Sequence, residues 1–196
     1  MRSLVEQIRA VVAKGPVDAA ALETLQDVVR GAIPRLAKTS ICTRDLAPGR
    51  YLCYRDADFG FVVMVLVWGD GSGTPIHDHG TWGVEAVLAN ALRVTTFCDS
   101  ETNPQAQCTS IVKQGDVMFN LPPARDVHRV EYCKEHSVGR AVSLHVYGRE
   151  MSGNRMFVPG EGFKCCALQT NLLETEFDFS GLCGTQGRGK WSETGL

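Results

Sequence analysis

Apolar residues recur at helical spacing only near the start of the chain. Leu4, Val5, Ile8, Val11 and Val12 share one face of a predicted helix, and Leu22, Leu25, Val28 and Val29 share one face of a second. Ser3 with Glu6 makes a capping box for the first, Gly15-Pro16 ends it, and Asp18 caps the second. Gly31 and Pro34 are expected to stop the second helix. Both helices are read as packing on a core. From Tyr51 the period shortens to strand-like runs at 61–68, 75–89, 91–98, 107–113, 116–121, 127–133 and 141–148. Turn residues separate most of them: Gly69-Asp70-Gly71-Ser72-Gly73, Asn103-Pro104, Gln114-Gly115-Asp116, Pro122-Pro123 and Gly139. Many short strands so punctuated predict an all-β sandwich or barrel. After Gly160 the pattern weakens to a glycine-rich stretch with one apolar patch around Leu172 and Phe177. The chain therefore divides into an N-terminal helical part (1–40), a barrel (41–160) and a C-terminal extension (161–196) that either wraps the barrel or frays.

Composition acts mainly by exclusion. At 196 residues, 44% hydrophobic, the chain is long enough for one domain with its own core. A formal net charge of −2, with no basic run, argues against nucleic acid or a membrane surface as partner. The longest apolar run, 61–68, is far too short to span a bilayer. Met1-Arg2-Ser3-Leu4-Val5-Glu6 lacks the apolar region of an export signal, so a cytoplasmic location is expected. The eight cysteines (42, 53, 98, 108, 133, 165, 166 and 183) are irregularly spaced and are read as free thiols. No CxxC occurs, which excludes a thiolate zinc ribbon.

Histidine placement changes the picture. Four of five histidines fall at three spots: His77-Asp78-His79, His128, and His145 within Ser143-Leu144-His145-Val146-Tyr147. A pair at i, i+2 on an extended strand points both rings to one face. A third imidazole from another strand can close a facial metal set with open positions, which suits chemistry rather than structure. Alternation likewise puts Ser143, His145 and Tyr147 on one face, where hydroxyl, imidazole and phenol can form a relay.

His77 and His79 behind a glycine-rich turn, with His128 after Gly115-Asp116, resemble the two motifs of cupins, double-stranded β-helix barrels that hold a metal in their mouth. Ordinary cupins add a glutamate where this chain has Gly83 and Val84; Glu85 is expected to point to the opposite face. That leaves three neutral imidazoles without a carboxylate, a set that favours an anionic incoming ligand such as a thiolate.

Thr74-Pro75-Ile76-His77-Asp78-His79, Val127-His128-Arg129-Val130, Val142-Ser143-Leu144-His145-Val146-Tyr147 and Trp68-Gly69 together resemble the thiol dioxygenases of the cysteine dioxygenase family, over about Tyr51 to Gly148. The resemblance implies a cupin jelly-roll barrel behind N-terminal helices. It also implies ferrous iron, Fe(2+), on His77, His79 and His128, with Ser143, His145 and Tyr147 as a triad beside it. The implied reaction joins a small thiol carboxylate and O2 to give a sulfinic acid, in a monomer or small homo-oligomer with no nucleic-acid or membrane partner.

Departures from the family divide the expectations. Animal members carry a cysteine near Gly83 or Val84 that crosslinks to the tyrosine; none stands there, so no crosslink is expected. Thr81-Trp82-Gly83 looks like bacterial members, including those acting on 3-mercaptopropionate, whereas Arg50 lies near where cysteine-acting members keep a carboxylate-binding arginine. The thiol is thus cysteine or 3-mercaptopropionate. Arg50 is taken as the carboxylate anchor and Arg155 as its rival; Trp82 either walls the mouth or packs in the core. Asp78 is given a structural or ligand-supporting part, His136 an exposed turn, and Cys133 no part in chemistry. The alternatives are a ring-opening cupin dioxygenase, a non-enzymatic ligand-binding cupin, and a structural zinc site.

Overall fold

The computed structural model of the protein describes residues 3–39, 42, 45–98, 100–122, 126–150, 152–167 and 171–172. Helices α1 (Leu4–Val12) and α2 (Ala19–Leu36) precede β1 (Gly49–Arg55), β2 (Val62–Trp68), β3 (Gly83–Ala89), β4 (Ala91–Phe97) and β5 (Ala106–Lys113). Then follow β6 (Val117–Asn120), β7 (His128–Tyr132), β8 (Ala141–Tyr147), β9 (Ser152–Val158), β10 (Gly162–Ala167) and β11 (Asn171–Leu172).

The capping box of α1 forms, with Ser3 and Glu6 each bonding the other's backbone amide, and Asp18 caps α2 through the Ala21 amide. Helix α2 does not stop at Gly31 and Pro34; it runs through both to Leu36. Proline removes only one amide bond, and beyond it Leu36 is fully buried while the Ala37 amide still reaches the Ile33 carbonyl at 2.9 Å. Burial of a leucine is worth about 2 kcal/mol, enough to carry the helix over a break one turn from its end.

Six strands form one sheet in the order β11-β1-β2-β8-β3-β6. Its outer face (Val63, Val65, Val67, Val84, Ala86, Leu88, Val142, Leu144 and Val146) packs against Leu4, Ile8, Leu22, Leu25 and Leu36 of the helices. The inner face packs Val62, Met64, Leu66, Trp68, Val87 and Tyr147 against Leu92, Val112 and Val130 of the facing strands. Every residue of β2 and β8 is buried, which is why β2 reads as an unbroken apolar run although its neighbours are antiparallel. Opposite lies β5-β4-β7, and the segment before β3 joins it: Gly73 bridges Glu131, and His77 bridges His128 on one side and Met156 of β9 on the other. The described residues thus make a mainly β, cupin-type double-stranded barrel with helices on one outer face.

The strand expected over 75–89 is two pieces. His77 holds a single bridge, the chain loosens through 78–82, and β3 begins at Gly83. Gly80, at φ +57°, is the break, in the left-handed region that favours glycine. In the C-terminal part, β10 pairs antiparallel with β9, and β11 pairs parallel with β1 at Tyr51↔Asn171 and Leu52↔Leu172; Phe177 lies outside the described residues. The six cysteines whose side chains are described are free thiols. No helix among the described residues is long and apolar enough to cross a membrane.

Candidate metal centre

Three backbone contexts deliver the three imidazoles. His77 is fixed by amide–carbonyl exchange with His128 in both directions, at 2.9 and 3.0 Å, so these two residues are tied across the barrel mouth by backbone alone. His79 hangs from the loosened segment and is caught by Asp126. The Asp126 carboxylate accepts from the His79 amide at 3.0 Å and the Gly80 amide at 2.9 Å, and lies 3.2 Å from His79 Nδ1. Ring centroids of the three histidines are 4.7 to 4.8 Å apart, and one ligand atom from each falls within 4.8 Å of the others.

Two of the rings have one nitrogen occupied by the protein: His77 Nδ1 donates to the Pro75 carbonyl at 3.0 Å and His79 Nδ1 to Asp126. A neutral imidazole that donates from one nitrogen keeps a lone pair on the other, the arrangement of metal-binding histidines. Burial holds all three below the ordinary histidine range, His79 and His128 well below it. Neutral, converging lone pairs with no proton of their own to share fit a divalent transition metal; His77, His79 and His128 would hold it.

Beside this set runs a single hydrogen-bonded chain. Trp68 Nε1 donates to Ser143 Oγ at 2.8 Å, Ser143 Oγ lies 2.7 Å from His145 Nε2, and His145 Nδ1 lies 2.8 Å from the Tyr147 hydroxyl. Indole can only donate. Fully buried Ser143 therefore accepts from Trp68 and gives its own proton to His145 Nε2, which puts the His145 proton on Nδ1, facing Tyr147. Burial pushes the His145 imidazole down to about 3, so it stays neutral, and burial raises the Tyr147 phenol well above its ordinary value. The phenol ring stacks on His79 with centroids 4.9 Å apart.

Between these groups opens a cavity of about 410 Å³, its open mouth included, lined by Arg50, Met64, Leu66, Trp68, Thr74, the three histidines, Val130, His145 and Tyr147. Arg50, on β1, makes no ion pair among the described residues, and burial lowers its basicity. Arg155 lies elsewhere: its guanidinium bonds Asp78 and Glu101, each at 2.6 Å, and its amide bonds Asp78 at 3.1 Å. Asp78 is accordingly the tie between the histidine segment and β9. Trp82 does not line the cavity; it packs with the helices' core cluster and would touch any Cβ placed on Gly148. His136 is exposed in a short 3₁₀ turn, and Cys133 is buried with its thiol toward Glu135.

Glu85 contradicts the expectation from alternation. It points into the barrel, buried, in register with His145 on β8. The count from His79 fails because the irregular residues around Gly80 reset the phase before β3 begins. Glu85 is still no ligand: among the described residues the grouped metal-binding atoms are those of His77, His79 and His128 only. Nor is there space for a carboxylate at position 83, where a Cβ would come within 2.8 Å of the Tyr147 ring and 2.3 Å of Asn120 Oδ1. Asp126 and Trp68 carried no role in the sequence reading. The Asp126-Val127-His128 spacing and the need of a buried indole N–H for a partner were the available signals.

Residues 1–158 match the family described as cysteine dioxygenase type I. The chain belongs to that family. Solved structures similar to it share little sequence. A cupin superfamily protein of Desulfitobacterium hafniense is 14% identical, covers 53% of this chain and 79% of its own, and has a TM-score of 0.37. A double-stranded β-helix protein of Klebsiella pneumoniae is 15% identical, with 62% and 81% covered and a TM-score of 0.42. Hydroquinone 1,2-dioxygenase PnpCD is 16% identical, with 58% and 73% covered and a TM-score of 0.42. Family membership and the three-histidine geometry together support a metal-dependent cupin dioxygenase.

Proposed function

We propose that this cysteine dioxygenase family member is a mononuclear non-haem iron thiol dioxygenase. Its substrate is a small thiol carboxylate, cysteine or 3-mercaptopropionate, and its product the sulfinic acid. The reaction balances without a reductant: a thiolate and O2 give a sulfinate, with both oxygen atoms on sulfur. One observation carries the reading: three neutral imidazoles with no carboxylate among them share a cavity with Arg50, a guanidinium that has no acidic partner among the described residues. Such a cavity is short of negative charge at both ends, and a thiolate with a carboxylate supplies one at each.

Ferrous iron on His77, His79 and His128 would supply the redox-active Lewis acid that brings sulfur and dioxygen together. The chain's own residues do the rest. Arg50 grips the carboxylate through its planar fork and sets the reach of the sulfur. His145, locked in one tautomer by Trp68 and Ser143, holds the Tyr147 oxygen and leaves the phenol's proton free for the substrate side. Met64, Leu66 and Val130 keep that end of the cavity dry, which strengthens each charged contact.

The test is oxygen consumption by iron-loaded protein with cysteine, 3-mercaptopropionate and mercaptosuccinate offered separately, with the sulfinate identified by mass. Uptake with at least one thiol, lost in His128→Ala, is expected. A ligand-binding protein without activity would consume oxygen with none.

A further inference from the structure

One ion pair reaches the metal ligands from outside the cavity. Asp78 stands between His77 and His79, buried, and both of its carboxylate oxygens go to Arg155 of β9. Oδ1 accepts from the Arg155 amide at 3.1 Å, and Oδ2 accepts from the guanidinium Nε at 2.6 Å. The fork is itself held on two further sides, by Glu101 at 2.6 Å from Nη1 and by the Phe163 ring of β10, whose centroid lies 5.0 Å from Cζ. We propose that Arg155 is a positioning residue for the metal centre: it clamps Asp78 so that the chain leaves its strand between the two ligands, which brings the His79 imidazole in against that of His77. This rests on the three-histidine metal reading and not on which substrate the metal serves.

The backbone pattern leads to this assignment. His77 and Met156 are bridged partners, so Asp78 and Arg155 stand opposite each other, where an antiparallel ladder exchanges two amide–carbonyl bonds. The first is made, from the Asp78 amide to the Arg155 carbonyl at 3.0 Å. The return bond goes from the Arg155 amide to the Asp78 side chain in place of its carbonyl. The ladder therefore ends at Asp78, and the chain is released to turn through His79 into Gly80, at φ +57°. The rings record the result. Side chains at i, i+2 on a regular strand stand about 6.7 Å apart, whereas the His77 and His79 centroids are 4.8 Å apart, with the rings at 71°. Asp126 catches His79 beyond the bend, but the bend begins at Asp78. Without its guanidinium, Asp78 would be a buried charge that has to move toward water, and it would move with a ligand attached on either side.

Cobalt(II), whose absorption reports its own binding, tests the clamp without oxygen or thiol. Arg155→Met keeps an unbranched side chain and removes the fork. It is expected to bind cobalt(II) about tenfold more weakly than wild type in competition with a chelator, the lower end of what losing a ligand's supporting partner costs. Arg155→Lys, which still offers Asp78 a cation, is expected to recover most of that loss. The matched control is Arg9→Met. Arg9 is 35% exposed and pairs with Asp56 (0%) and Asp58 (67%), much as Arg155 at 37% pairs with Asp78 (7%) and Glu101 (65%). It lies on α1, away from the cavity lining, and its loss is expected to lower stability but not affinity. Unchanged affinity in Arg155→Met, an equal drop in Arg9→Met, or no recovery in Arg155→Lys overturns the proposal. Amide hydrogen exchange in the metal-free protein gives a second readout. The Asp78 and Phe157 amides, which bond between the ligand segment and β9, are expected to exchange about tenfold faster in Arg155→Met than in Arg9→Met. Equal rates in the two variants overturn it as well. Failure of oxygen uptake with every thiol would instead remove the activity assignment and leave both measurements standing.

Discussion

Asp126 holds His79 at two points, accepting from its backbone amide at 3.0 Å and standing 3.2 Å from its ring Nδ1. One carboxylate therefore fixes both where the residue sits and which way its lone pair points. The same side chain bonds the Gly80 amide. His77 and His128 depend instead on each other, through the paired amides. Asp126→Ala is expected to lower ferrous-iron affinity about 10- to 100-fold, as read by competition with a coloured chelator, whereas His79→Ala abolishes tight binding.

Arginines 50 and 155 separate by partner. Arg50→Ala is expected to raise KM for the thiol carboxylate about 10- to 100-fold, the loss of a charge-assisted hydrogen-bonded contact, with a smaller effect on kcat. Arg155 already serves Asp78 and Glu101. Its pairs are part-exposed, so Arg155→Ala is expected to cost about 1 kcal/mol of stability and to leave KM near the wild-type value. Initial rates against thiol concentration, with a denaturant melt of each variant, check both statements.

Gly83 marks the tightest approach in the site. Gly83→Ala puts a methyl group 2.8 Å from the Tyr147 ring and 2.3 Å from Asn120 Oδ1, closer than either can tolerate. Overpacking of this kind costs about 1–3 kcal/mol, and the phenol moves. Expected outcomes are a lower melting temperature and a larger loss of kcat than the stability change alone explains, measured on folded, iron-loaded protein.

Stability of the metal-free protein should depend on pH in two opposite ways. His77, His79, His128 and His145 are all held below their ordinary 6.5, so the unfolded chain takes up protons first. Their contribution is complete above about pH 6.5 and is lost as the pH falls below it. Glu85 is raised from 4.5 to about 8, so its contribution is complete below 4.5 and is lost as the pH climbs through 8. Denaturant melts are expected to show falling stability as the pH drops below about 6.5 and a second, smaller decline as it rises from there to about 8, where the Glu85 loss is no longer offset by the histidines. That second decline should be absent in Glu85→Gln.

Much of the site was legible in the chain because period-2 alternation holds wherever strands are regular. Ser143, His145 and Tyr147 lie on β8, buried throughout, and their relay follows from spacing alone. His77, His79 and His128 were legible as a set, though not for the reason of one continuous strand. Glu85 was misplaced by the same rule, since residues 78–82 break the alternation and only tertiary contacts show by how much. Pro34 misled because helix propensity is local, whereas burial of Leu36 is not. Asp126 offers only its place two residues before His128 as a signal, and only the folded chain brings it to His79, far away in sequence.

Trp68 ends the relay in a ring that also walls the cavity, with its indole N–H tied to Ser143. Indole emission responds to the loss of such a bond and to a paramagnetic ion nearby. The protein thereby carries its own optical probe, one hydrogen-bonded chain away from the phenol. Occupancy of the cavity can be followed by light under argon, before any oxygen is admitted, and separated from turnover in time.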